Sequence, residues 1–335
     1  MKKKPQVSVI IVNWNGGEVF KNCLDSLKKI EYSNWELIVV DNGSTDGTQK
    51  YAQIKNKTNL GFALANNQGV KLAKGKYVLL LNNDTLISKD LPTVLVSKME
   101  NDSTIGIIQP KILMMDKLGY LDNAGSFFTK IGFLEHWGFG QKDSKKFSKE
   151  TEVFSAKGAC LLIRHEIIKK IGLFDDDFVS YFEESDFCWR TWLNGWRVIF
   201  YPETKIYHKV GFTIQRLDVG EINYHYYKNR ISSLIKNLGT LNLIMIVPIH
   251  LLISIGIAMA FLFRNKPSNS ILILKAIYWN ITNIQKILKK RKIIQSSRKV
   301  FDNKLFPKLL RPINLKKFYN DFKRVEKDID LKNVK

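Results

Sequence analysis

Runs of consecutive apolar, mostly β-branched residues recur near the start of this sequence: VSVIIV from Val7, ELIVV ending just before Asp41, and YVLLL from Tyr77. A strand with one wet face alternates apolar and polar residues, whereas a parallel strand covered by helices on both sides reads as an unbroken apolar run. Helical patterns separate the runs, at 18–30, briefly after Asp46, and at 62–74, so strands are predicted at 7–13, 35–41 and 77–81. This βαβα order predicts an α/β fold built on a mainly parallel sheet.

Further along, residues 118–140 read as an irregular hairpin and loop, and the charged stretch 141–151 as a mobile surface loop. Order resumes with GACLLI, a helix near 164–171, a helix near 184–194 and a strand at 196–201, and no internal repeat is visible. The 335 residues, 45% of them hydrophobic, suffice for a large core with an appendage and exclude disorder throughout. The opening MKKKPQVSVIIV pairs a basic with an apolar segment, but the apolar run stops at Asn13, which suits a buried strand better than a secretory signal. Cys23, Cys160 and Cys188 lack C-x-x-C spacing and sit in apolar surroundings, as expected of buried reduced thiols in a cytosolic protein.

The net charge of +22 would suit nucleic acid, anionic lipid or a phosphorylated substrate, and its distribution discriminates among them. From Arg264 onward there are 20 Lys and Arg against 5 Asp and Glu, so this stretch carries +15 of the total. It follows an apolar segment at 241–263, LNLIMIVPIHLLISIGIAMAFLF, and no nucleic-acid motif accompanies it. A membrane surface is therefore expected as partner, and nucleic acid is not. A single crossing would put the basic stretch on the side opposite a cytoplasmic domain, against the positive-inside rule. The segment is expected instead to pair with 271–284 as a hairpin, re-entrant or lying in the interface.

Ligands of open α/β sheets bind beyond the carboxyl ends of the strands, and two predicted strands end near acids, Asp41 in DNGSTDGT and Asp84 in LNNDT. Taken singly, the first is as readily a capped loop and the second an Asx turn, although Asn and Asp crowded at a strand end also offer hard oxygen ligands for a divalent ion. In YFEESDFCWR, Glu183, Glu184 and Asp186 crowd one helix start, either as a solvated cap or as a general base whose pKa is raised by repulsion and flanking aromatics. His208, at the end of a later strand, is a core histidine or a metal ligand.

Together, VSVIIVNWNG, DNGSTDGT, NLGFALANNQG, YVLLLNNDT, GACLLIR, YFEESDFCWR with NGW, and YPETKIYH resemble, in order, the motif series of family 2 glycosyltransferases of GT-A fold, such as the bacterial rhamnosyltransferases. The resemblance covers residues 5–235 and outweighs the bland reading of each motif. It implies that Val12, Asn13, Asn15 and Asp41 hold a pyrimidine nucleoside, with Asp41 accepting from the base N3–H, and that Asn66, Asn67 and Asn83 also line the nucleotide. The family's Asp-x-Asp metal motif reads Asn82-Asn83-Asp84 here, with the first acid replaced, so Asp84 and His208 are expected to hold Mg²⁺ or Mn²⁺. Glu184 is the implied catalytic base, Asp186 its support or an acceptor-orienting group, and Glu183 faces away.

The implied reaction is inverting transfer of a sugar from a UDP- or dTDP-sugar to a hydroxyl of a glycan or lipid-linked glycan, for cell-surface polysaccharide, at the cytoplasmic face of the membrane. The competing reading is a catalytically inactive, membrane-bound relative that serves as an assembly partner. The expected organisation is a catalytic domain at 1–238, apolar membrane-associated helices at 239–285 and a basic C-terminal tail at 286–335.

Overall fold

The computed structural model describes residues 6–212 and 219–313. Its first half runs β1 (Val7–Asn13), α1 (Gly17–Leu27), β2 (Trp35–Asp41), a 3-10 turn at Thr48–Tyr51, β3 (Ile54–Lys55), α2 (Phe62–Leu72), β4 (Tyr77–Leu81), β5 (Thr85–Ile87), α3 (Leu91–Asn101) and β6 (Ile105–Met114). β1 lies between β2 and β4 and parallel to both, with β3 extending the parallel set beyond β2. Along these strands the side chains alternate between two cores: Ile10, Val78 and Leu80 pack on one face, Val9, Ile11 and Leu79 on the other. Both faces are dry, which is why the runs are unbroken.

The second half adds β7 (Leu121–Asn123), β8 (Ser126–Thr129), β9 (Leu134–His136), β10 (Thr151–Glu152), β11 (Cys160–Arg164), α4 (His165–Ile171), α5 (Glu183–Leu193) and β12 (Arg197–His208). β11 inserts antiparallel between β4 and β6, and β6 runs parallel to β12. Residues 141–151 are better held than a mobile loop. Phe147 is buried there, Lys111 pairs with Asp143 at 3.0 Å, and Glu150 pairs with Lys98 at 2.7 Å. The three cysteines are buried free thiols.

Helices close the chain: α6 (Val219–Asn237), α7 (Thr240–Phe263), α8 (Pro267–Thr282), α9 (Ile284–Ser296) and α10 (Asp302–Leu309), then β13 (Leu310–Arg311). α7 and α8 pack on each other about a turn at 264–266, α8 packs along α6, and α9 returns onto α6. The basic stretch expected to trail from residue 286 is docked as far as Arg311: α10 buries Leu305 and Leu309 in the main core, and β13 pairs parallel with β8. Its remainder from residue 314, like residues 1–5, lies outside the described residues.

Candidate active site

The carboxyl ends of β1, β2 and β4 share one rim, and Asn13 ties them together. Its Nδ2 donates to Asp41 Oδ1 at 3.3 Å and Thr48 Oγ1 at 2.7 Å, while its Oδ1 accepts from Asn83 Nδ2 at 2.9 Å. Asp41 Oδ2 accepts from the Ser44 backbone at 3.0 Å. Asn15, at φ 49°, takes the Thr45 N–H on its Oδ1 at 2.7 Å and gives its own N–H to Ser44 Oγ. Gly16 is needed at this crossing, since a Cβ there would come within 2.4 Å of Asn13 Oδ1 and 2.8 Å of Asn83 Nδ2. Val12 is half-buried beside it. The three loops thus form one preorganised platform, as expected for a site at strand ends.

Asn66 and Asn67 are placed differently from the expectation that they line a nucleotide. Asn66 is buried and its amide donates back to Phe62 O within α2. Asn67 bonds Phe174 through both ends of its amide and also Asp176, stitching α2 to the segment before α5. Buried polar side chains give their amides to nearby backbone, Asn66 to its own helix and Asn67 to the loop before α5.

Register brings His208 to Asp84. β12 pairs with β5 so that His208 faces Thr85, and Lys209 N donates to Asp84 O. His208 Nε2 lies 3.1 Å from Asp84 Oδ1, while Nδ1 donates to Asp122 Oδ2 at 2.8 Å. Asp122, on β7, is fully buried, and both its oxygens accept from Lys157 Nζ, at 2.6 and 2.7 Å. Burial opposes charge on the His208 ring, but the hydrogen bond to Asp122 and the carboxylate of Asp84 outweigh it and lift its pKa to about 9. Burial likewise works against the Asp122 carboxylate, yet Lys157 and His208 hold its pKa well below the usual range. Asp84 Oδ1, ion-paired with that ring, and Asn82 Oδ1 are buried without a well-formed hydrogen bond among the described residues.

Lys157 also lowers the pKa of one of the acids of α5 through its charge. Glu184 lies across from it beside Gly158, where a Cβ would sit 3.8 Å from the Glu184 carboxyl carbon, and its Oε2 has no hydrogen-bond partner among the described residues. Burial raises the pKa of Glu184, against helix-start N–H groups and Lys157, which lower it. Burial next to Glu184 raises Glu183 as well, and Glu183 is enclosed rather than turned to solvent. Asp186 departs from the expectation that it orients an acceptor. It is fully buried, Oδ2 pairs with Arg190 at 2.9 Å, and Oδ1 accepts from Ser233 and Asn237, each at 2.8 Å. Two positions on from Glu184, a rotation of about 200° along a helix of 3.6 residues per turn, its carboxylate points to α6, away from Gly158.

Two features escaped the sequence reading. Asp122 carried no signal, lying inside a segment read as irregular. The turn entering α5 holds Tyr181 at φ 68° and Phe182 at φ 71°, a left-handed conformation that bulky residues avoid. Asn229 of α6 clamps it, donating to Ser180 O at 2.9 Å and Tyr181 O at 2.6 Å.

Residues 8–172 match the family model described as glycosyl transferase family 2. The chain carries a family 2 glycosyltransferase domain. Among curated relatives, the poly-beta-1,6-N-acetyl-D-glucosamine synthase of Staphylococcus aureus is 23% identical over 222 residues, covering 60% of this chain and 51% of that protein. The synthase of Staphylococcus epidermidis is 24% identical over 220 residues, covering 62% and 51%. The chain spans about half the length of these relatives. Among solved structures, S. aureus TarS 1–349 in complex with UDP-GlcNAc aligns with TM-score 0.57 at 16% identity, over 87% of each chain. GalNAc-T7 with UDP, GalNAc and Mn²⁺ aligns with TM-score 0.55 at 17% identity, over 70% of this chain and 48% of its own. At these identities the structures establish the fold, which is that of the nucleotide-sugar transferases.

Proposed function

We propose that this chain transfers a sugar from a UDP- or dTDP-sugar to a hydroxyl of a glycan or lipid-linked glycan, with inversion, at the cytoplasmic face of a membrane during cell-surface polysaccharide synthesis. The observation that carries it is the chain Lys157–Asp122–His208–Asp84, with Glu184 beside the neighbouring Gly158, next to the Asn13–Asp41–Asn83 platform. On this reading Glu184 serves as the proton acceptor, and Asp84 with His208 as the cation-binding pair for the departing diphosphate.

A divalent ion fits the donor set: Asp84 Oδ1 and Asn82 Oδ1 are buried without a well-formed hydrogen bond, and Asp122 fixes the ring of His208 from behind. Asp84 and His208 would hold it, and Mg²⁺ or Mn²⁺ there would neutralise the charge of the departing nucleoside diphosphate as a Lewis acid. Glu184 takes the proton of the acceptor hydroxyl as its oxygen bonds to the anomeric carbon and the bond from that carbon to the phosphate oxygen breaks. Its raised pKa makes it a stronger base than an ordinary carboxylate. A single displacement from the face opposite the leaving group inverts the anomeric centre. Asp41 supplies an acceptor for the pyrimidine N3–H, and the amides of Asn13 and Asn83 hold its loop in place.

The UDP-GlcNAc complex of the TarS fragment and the UDP and Mn²⁺ of GalNAc-T7 favour uridine donors with Mn²⁺ as the first to try. Thermal unfolding of the full chain with a panel of nucleotide sugars, with and without Mn²⁺, tests the reading, since a bound donor stabilises by mass action. Metal-dependent stabilisation by one donor is expected. No shift with any UDP- or dTDP-sugar overturns the donor class, and stabilisation without transfer to any acceptor favours the inactive relative.

A further inference from the structure

We propose that the α7–α8 pair is a docking surface that lies flat on an anionic leaflet, held to the catalytic domain along its length, and that it does not cross the bilayer.

Both helices keep an apolar side exposed. α7 turns Ile246, His250, Ser254, Ala258 and Phe261 to the protein, and its solvent side carries Leu241, Ile244, Met245, Leu252, Met259 and Phe263, exposed by 51 to 84%. α8 buries Asn269, Ser270 and Asn280 along with Ile273 and Ala276, and exposes Ile271, Leu274, Tyr278 and Ile281. A helix packed on a soluble protein does the reverse. Small and polar residues share the protein contacts with Ile246, Phe261 and Ile273: Asn280 donates to Lys228 O at 3.0 Å, while Ser254 bonds back to His250 O within α7. The apolar side is left for an apolar partner, and its exposed area is too continuous to be scattered surface residues.

Charge says which apolar partner. No Asp or Glu occurs from Thr240 to Phe301. Arg264 and Lys266 stand at the turn between the helices, and Lys275 stands exposed on α8 within the Ile271, Leu274, Tyr278 stripe. A lysine inside an apolar stripe can lay its methylenes on the acyl boundary and its ammonium among phosphates. An anionic lipid surface suits both the apolar side and the acid-free, positively charged composition of this stretch.

Geometry argues against a crossing by the pair. With 24 residues α7 is long enough at about 36 Å, but the 16 residues of α8 reach only about 24 Å, short of a hydrocarbon core of about 30 Å. A spanning pair would carry Lys275 into its middle. α7 is also pinned midway: His250 Nδ1 donates to Ile131 O at 2.8 Å and its Nε2 accepts from Arg230 Nε at 3.2 Å. A helix that left the body to enter a bilayer could not keep those bonds. The inference specifies the membrane contact in the function proposed above, and rests on that reading only for its biological setting.

The test adds purified full chain from outside to vesicles of phosphatidylcholine alone or mixed with phosphatidylglycerol, and measures co-sedimentation at low and high salt. Binding to the mixed vesicles at least tenfold tighter than to neutral ones is expected. Leu252→Glu combined with Met259→Glu should weaken it at least tenfold with unchanged unfolding temperature. A thiol introduced beside the turn, by Ser268→Cys, should react with a membrane-impermeant maleimide from outside, because Cys23, Cys160 and Cys188 are buried and contribute little labelling. Failure of the wild type to bind vesicles, burial of this face in a concentration-dependent dimer, or labelling of the introduced thiol only after vesicle lysis each overturns the proposal. Transfer to a soluble acceptor, measured on the same proteins, separates its failure from failure of the transferase reading: it should be unaffected by the double substitution.

Discussion

Glu183 and Glu184 differ by one position and by what their carboxylates meet. Glu184 sits beside Gly158 and feels Lys157, whereas Glu183 is enclosed and gains nothing from a cation. Glu184→Gln keeps the shape and removes the proton acceptor, so turnover should fall by about 10² to 10⁴ with donor binding retained; near-normal turnover would rule Glu184 out as the base. Glu183→Gln should act on stability. Its folded pKa lies well above the ordinary glutamate value of 4.5, so the stabilisation from its neutral form is complete below that value and lost as pH rises through the folded pKa. Glutamine stays neutral, so the advantage of the variant in thermal unfolding should be larger at pH 8 than at pH 5; an equal or smaller one would contradict the burial. His208 has the opposite consequence for the metal. With its pKa near 9 the ring is protonated at neutral pH, and an ion must displace that proton. Mn²⁺-dependent donor stabilisation should therefore rise between pH 6.5 and 8.5. Asp122→Asn should weaken it about 10 to 100-fold, by loosening the ring that Asp122 orients; unchanged Mn²⁺ affinity would make Asp122 a core residue only.

The strands that read most easily are those whose chemistry is local. β1, β2 and β4 fall where their apolar runs predict, because burial on both faces leaves no ambiguity about the pattern. Asp41 and Asp84 were expected on one rim for the same reason, as each follows a strand whose end could be read, whereas His208 joined them only through the family resemblance. β7 could not be read, since three residues carry no periodicity, and Asp122 was hidden with it. Asp186 misled because an acid at a helix start looks alike whether it faces solvent or another helix; only the pairing of α5 with α6, distant in sequence, assigns it to Arg190, Ser233 and Asn237. The same pairing supplies Asn229, which holds the left-handed turn at Tyr181 and Phe182 that aims Glu184. Asn229→Leu leaves two part-buried carbonyls without this donor, at a cost of up to about 1 to 3 kcal/mol each. Turnover should drop at least tenfold while donor binding holds; a lowered unfolding temperature with unchanged turnover of the folded protein would show that the clamp serves stability alone.

At the scale of the whole molecule, the sequence suggested a catalytic domain at 1–238, apolar helices at 239–285 and a basic tail at 286–335, and the packing ties these parts together. The last carbonyls of α6 have no partners of their own, as at any helix end. Here α9 and the turn after it supply them: Arg291 donates to Ile235 O and Leu238 O, Gln295 to Lys236 O, and Arg298 to Asn237 O. Lys290 pairs with Asp175 and Asp177, and Lys286 with Asp177. Beyond them Ile287, Leu305 and Leu309 are buried, and Phe306 packs on Phe128 at 5.8 Å. Each buried aliphatic side chain contributes roughly 1.5 to 3 kcal/mol, so Ile287, Leu305 and Leu309 together approach the whole net stability of an ordinary domain, about 5 to 15 kcal/mol. α6 in turn carries Asn229, Ser233, Lys236 and Asn237, which hold the α5 turn and Asp186. A chain cut after Leu238 should therefore lose donor stabilisation and transfer together, with a broad or absent thermal transition, and added lipid should not restore them. A truncated protein that unfolds cooperatively near the full-length temperature and still transfers sugar would show that residues 286–311 are an appendage after all, and would free the charge they carry for the membrane alone.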